Sequence, residues 1–206
     1  MNAGMEQAIA EPRALPLGPI GRSGIGTWGV GTLVASEAAL FGYLLFSYYY
    51  LGATSPTIWV QEVHPSLKLA LPNTILLLLS SVAAWYGEKG VERQRRGQAL
   101  SGFALAFVMG TVFAIVQYFE WRVKSYGPGT SSYGAIYFVT TGVHMAHVIA
   151  GLIILLALTG WTALGYFGPE RRISVSGGVL YWHFVDIVWL FIFSTYYITP
   201  YLGFGV

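Results

Sequence analysis

Apolar residues in this chain fall into five long blocks, separated by short stretches that collect the charges, prolines and glycines. The blocks run from about Trp28 to Leu51, Leu67 to Tyr86, Gln98 to Phe119, Tyr133 to Gly160 and Gly177 to Tyr197. Each is long enough to cross a hydrocarbon core of ~30 Å at ~1.5 Å per helical residue, so each predicts one transmembrane helix. No block shows the apolar–polar alternation of a membrane barrel strand. The expectation is an all-α polytopic membrane protein, a bundle of five transmembrane helices forming one domain over residues 28–206. Residues 1–27 read as a mobile lead-in; they hold no apolar core ahead of a small-residue cleavage site and so do not resemble a signal peptide. The short connections predict antiparallel consecutive helices.

Composition agrees with that pattern. Of 206 residues, 55% are hydrophobic and 10% charged, against about 25% charged in soluble domains. With five spans, the N-terminus shares a side with the second and fourth connections. That side carries eight basic residues, Arg13, Arg22, Lys89, Arg93, Arg95, Arg96, Arg171 and Arg172, and the other carries three, Lys68, Arg122 and Lys124. The excess predicts a cytoplasmic N-terminus. A net charge of +2 and the lack of a basic cluster with interleaved aromatics give no sign of a nucleic-acid partner. The absence of cysteine removes disulfides, thiolate ligands, iron–sulfur clusters and a cysteine nucleophile. No phosphate-cradling loop, nucleophile elbow or serine–histidine–aspartate pattern is present.

Candidate chemistry therefore rests on the few polar residues inside the spans. The stretch Tyr181–Phe191 carries His183 and Asp186 three residues apart, between Trp182 and Trp189. An aspartate at mid-helix costs about 2.5–3.5 kcal/mol on insertion scales, so something must offset it. His183 and Asp186 share a helix face and can satisfy each other, the carboxylate orienting the ring. Glu37 stands on an otherwise uncharged span; it reads either as a hydrogen-bonded carboxyl holding helices together or as a group in or beside a proton path. On the fourth span, Tyr137, Thr140, Thr141, His144, His147 and Gly151 line one face. Its two histidines suit either a hydrogen-bonded layer or, with His183 and Asp186, a metal or haem site. Glu37 lies ~14 Å along the first helix from Trp28, at a depth similar to His147, His183 and Asp186, so these four can share one buried polar layer. Asn73, Gln117 and Glu120 lie toward the opposite side, as structural polar groups. Gly102, Ala106 and Gly110 repeat every fourth residue and let another helix approach closely.

Several of these stretches together resemble one family. Tyr181-Trp182-His183-Phe184-Val185-Asp186-Ile187-Val188-Trp189-Leu190-Phe191 is similar to the last-helix signature of cytochrome c oxidase subunit III. Thr141-Gly142-Val143-His144-Met145-Ala146-His147-Val148 resembles that family's glycine-histidine-x-x-histidine-valine pattern. Gly110, Phe113, Gln117, Glu120 and Trp121, then Asn73-Thr74 with Ser80-Ser81, and Ser36-Glu37 match in the same order. The resemblance implies a redox-inactive partner of the haem- and copper-bearing subunits I and II of a bacterial oxygen reductase in the plasma membrane. Such a subunit would support proton uptake, bind phospholipid and have a possible place in a respiratory supercomplex. It also implies no metal and no catalytic residue in this chain, with Glu37, His144, His147, His183 and Asp186 as the buried, proton-environment layer. Longer members have seven helices, and this chain starts at the third. Val175-Ser176-Gly177-Gly178 stands where many members carry a glutamate. Three other readings remain: subunit III of a quinol oxidase, a stand-alone haem- or metal-binding membrane enzyme using the histidines, and a proton-conducting transporter built around Glu37.

Overall fold

The computed structural model describes residues 25–54, 59, 65–166 and 172–204; most of the 1–27 lead-in, residues 1–24, lies outside the described residues. Among the described residues, five helices are long and apolar enough to cross a bilayer. They are α1 (Ile25–Thr54), α2 (Leu67–Glu92), α3 (Arg96–Val123), α4 (Ser132–Ala163) and α5 (Arg172–Phe193). A five-residue π-turn (Ser194–Ile198) and a 3-10 turn (Thr199–Leu202) continue α5. All five blocks of the hydrophobic pattern are helical, and each helix runs past its block at one end or both; α5 gives way to the π-turn before its block ends. Hydropathy marks where hydrocarbon ends, whereas helical hydrogen bonds continue into the interface until a cap or turn stops them.

Two local devices set the turns. Between α2 and α3, Gln94 adopts φ 55° and the Arg95 N–H returns to the Gly90 carbonyl at 2.8 Å, reversing the chain within a few residues. At the start of α4, the Ser131 hydroxyl accepts from the Gly134 N–H at 3.0 Å, an N-cap for an otherwise unpaired donor. The opposite end of α4 is closed from another helix. The Arg96 guanidinium donates to the carbonyls of Thr162, at 3.1 Å, and Ala163. A cation at a helix C-terminus also favours the dipole there.

Helix α5 is the axis of the bundle: it packs against α1, α2 and α4. Helix α3 packs between α2 and α4, and α1 lies against α4 and α5. The α2–α3 hairpin is close because a Cβ on Gly102 would fall 2.4 Å from the Gly87 nitrogen. Trp182, fully buried, joins all four inner helices. Its ring lies so near Gly110 of α3 and Gly151 of α4 that a Cβ at either would sit 2.6 Å from a ring carbon, and its Nε1–H donates to Ser80 of α2 at 3.0 Å. The glycine–alanine stripe on α3 thus serves two neighbours, with Gly102 facing α2 and Gly110 facing α5.

Candidate functional site

Glu37 comes from the inward side of α1, near Phe41, Leu44 and Tyr48, which are buried. Its Oε2 lies 3.0 Å from His147 Nε2 on α4. The other ring nitrogen, Nδ1, is 2.8 Å from the Val143 carbonyl. A carbonyl only accepts, so Nδ1 carries a hydrogen, and Nε2 is the ring nitrogen that meets the Glu37 carboxyl. Phe41 meets the His147 ring edge-on at 5.1 Å between centroids, and the Tyr181 hydroxyl of α5 donates to the His147 carbonyl at 3.4 Å. The side chains of Glu37 and His147 remain 26% and 16% exposed, so this pair is only partly enclosed by the chain's own helices.

His183 and Asp186 do not satisfy each other, contrary to expectation. His183 Nδ1 lies 2.6 Å from the Ser81 hydroxyl of α2. Asp186 is buried near that same hydroxyl without a hydrogen bond of ordinary geometry. The reason is facial. Trp182, Asp186 and Trp189 fall on one stripe of α5 at spacings of four and three, whereas His183 sits at its edge, half-buried. Along that stripe Trp182 donates to Ser80 and Trp189 donates to Thr74, both at 3.0 Å. The aspartate is therefore held between two indoles against α2.

His144 is enclosed completely. Its ring stacks on Trp189 at 5.1 Å and 25°, with Phe41 and Phe113 edge-on at 6.2 and 6.3 Å. The single layer expected from helix depth thus divides into three: Glu37 with His147, His183 with Ser81 and Asp186, and His144 among aromatic rings. Among the described residues, no three histidine or carboxylate side chains converge on a point that could hold a metal ion. The set His144, His147, His183 and Asp186 is not brought together.

A further polar group lies at the other end, where α1 finishes and α4 begins. Glu120 of α3 accepts from the Tyr197 hydroxyl, and Lys124 Nζ lies 3.7 Å from Glu120 Oε1. The Tyr137 and Tyr197 hydroxyls are 3.3 Å apart, and Gln117 faces Tyr137. The ammonium of Lys124 sits 5.5–5.7 Å from the ring centroids of Tyr126, Tyr137 and Tyr197, within cation–π range. Asn73 donates to the Phe113 carbonyl at 3.3 Å. Sequence reasoning placed Glu120 and Gln117 here but missed Lys124 and Tyr197. The i, i+4 spacing of Glu120 and Lys124 was available as a signal. That Tyr196 and Tyr197 both turn inward was not, because it depends on the π-turn.

The fold and these contacts define a polytopic helical membrane protein whose interior polar side chains mostly bridge helices in pairs. A family model described as cytochrome c oxidase subunit III matches residues 21–201, and the chain belongs to that family. Similar curated relatives include cytochrome c oxidase subunit 3 of Emericella nidulans, 34% identical over 179 residues, covering 82% of this chain and 66% of the relative. The same protein of Neurospora crassa is 33% identical over 179 residues, with the same two coverages. That of Gallus gallus is 30% identical over 178 residues, covering 82% of this chain and 68% of the relative. The chain spans about two thirds of the length of these relatives.

Proposed function

We propose that this chain is the non-redox subunit III of a respiratory cytochrome c oxidase, a complex that reduces oxygen to water and pumps protons. Haem and copper then reside in subunits I and II, and this chain stabilises subunit I beside its proton-uptake path. The observation that carries the reading is the Glu37–His147 pair in a member of this family. A carboxyl and an imidazole that share one proton can pass it between them with no change in net charge. Their partial exposure leaves a side for subunit I or a phospholipid to cover. The excess of basic residues on the N-terminal side supports a position for that end in the cytoplasm or its organellar equivalent.

The test is Glu37→Ala in the assembled oxidase. The expected result is slower proton uptake or a shorter active lifetime, with haem content unchanged. Unchanged turnover, pumping ratio and lifetime would leave Glu37 a packing role only.

A further inference from the structure

The far end of the bundle holds a chain of tyrosines that the oxidase reading does not use. Its buried end is Tyr197, whose hydroxyl donates to Glu120 and lies 3.3 Å from that of Tyr137. From Tyr137 the rings continue to Tyr196 at 5.3 Å, to Tyr48 at 4.9 Å and to Tyr49 at 5.1 Å between centroids. Tyr137, Tyr196 and Tyr48 are buried, whereas Tyr49 is 41% exposed on the outside of the bundle. A phenol gives up an electron readily only when its proton has somewhere to go, and a proton acceptor must be in hydrogen-bond reach. Tyr197 meets that condition with a carboxylate. Tyr196 donates instead to the Ile136 carbonyl and the Thr140 hydroxyl, neither of which takes up a proton near neutral pH. Lys124 supplies a countercharge to Glu120 and faces the Tyr126, Tyr137 and Tyr197 rings.

We propose that Tyr197, with Glu120 as its proton acceptor, is the electron donor of this chain toward one-electron oxidants in the bilayer, the class to which lipid peroxyl radicals belong. The electron reaches the oxidant at exposed Tyr49 from Tyr197, tunnelling through the rings of Tyr137, Tyr196 and Tyr48 with none of these intervening phenols oxidised on the way. There the O–H bond breaks, its proton passes to Glu120 Oε1, and a neutral tyrosyl radical remains. The peroxyl radical becomes a peroxyl anion, which takes a proton from water to give the hydroperoxide. One electron and one proton leave Tyr197; the water that protonates the peroxyl anion is left as hydroxide, which the proton released from Glu120 neutralises, so the net change is transfer of one hydrogen atom from Tyr197 to the peroxyl radical.

The full-length chain, in nanodiscs of saturated phospholipid, is oxidised by a photogenerated ruthenium(III) tris-bipyridine complex, frozen, and read by electron paramagnetic resonance. The expected result is a tyrosyl signal that forms more slowly in D2O and is lost in Tyr197→Phe. Glu120→Gln keeps the shape but not the proton acceptor, and is expected to lose most of the signal; circular dichroism checks that each variant is folded. If Tyr197→Phe does not fold, Glu120→Gln decides alone. No tyrosyl signal in the wild type overturns the proposal. So does an undiminished signal in a folded Tyr197→Phe, or a wild-type yield and isotope effect in Glu120→Gln.

Discussion

Glu37 and His147 come from sequence positions 110 apart, yet each limits what the other can do. His147 is already committed to the Val143 carbonyl through Nδ1, so only its Nε2 side remains for Glu37. Removing either partner leaves the other facing apolar helices with an unmet polar group, which costs more than the net worth of the bond. A double-mutant cycle of Glu37→Ala and His147→Ala is therefore expected to show a coupling of about 0.5–3 kcal/mol, measured by reversible unfolding in mixed micelles. Additive effects would mean that the two side chains do not act as a pair. The second polar group behaves differently. Ser81 supports His183 directly, so Ser81→Ala is expected to cost about 1–3 kcal/mol of stability, and Ser81→Thr, which keeps the hydroxyl, much less. The same unfolding assay reads both, and equal losses would show that the hydroxyl is not the group that matters.

At the scale of helices, the bundle is keyed by Trp182. Its indole fills a slot whose walls are Gly110 and Gly151, and its N–H reaches Ser80 beyond. Gly151→Ala puts a methyl group where the ring lies. The ring must shift, which is expected to lengthen the bond to Ser80 and destabilise the bundle by about 1–3 kcal/mol; pairing it with Trp182→Phe in a second cycle tests whether the cost runs through the indole. All five helices were legible from hydrophobic block length, because lipid imposes that length. The small-residue stripe was legible as a close-approach face, but not the two partners it serves, since one helix's periodicity carries no address for its neighbours. His183 and Asp186 were legible as polar groups needing partners. Their assignment to each other failed because Ser81, about a hundred residues away in the chain, is nearer to the His183 ring. The inward turn of both Tyr196 and Tyr197 depends on the π-turn of Ser194–Ile198, which no apolar period announces.

Across the whole molecule, burial is unequal. Helix α5 is surrounded by α1, α2 and α4, whereas α1 turns Trp28, Tyr43, Phe46 and Tyr50 outward and rests mainly on α4, on α5 and on the turns that continue α5. Apolar and aromatic side chains facing outward suit lipid or a neighbouring subunit equally, and α1 also carries the partly exposed Glu37. This distribution fits a subunit that completes its surroundings in a larger assembly. The reading as a non-redox member of an oxidase is most directly tested by affinity purification of the tagged chain from its native membrane in mild detergent, with mass spectrometry and a visible spectrum of the product. The account predicts the haem- and copper-bearing subunits I and II in equimolar amount, with all haem absorbance following those subunits when the complex is dissociated. A chain that purifies without them, or that retains stoichiometric haem or metal by itself after dissociation, would contradict it.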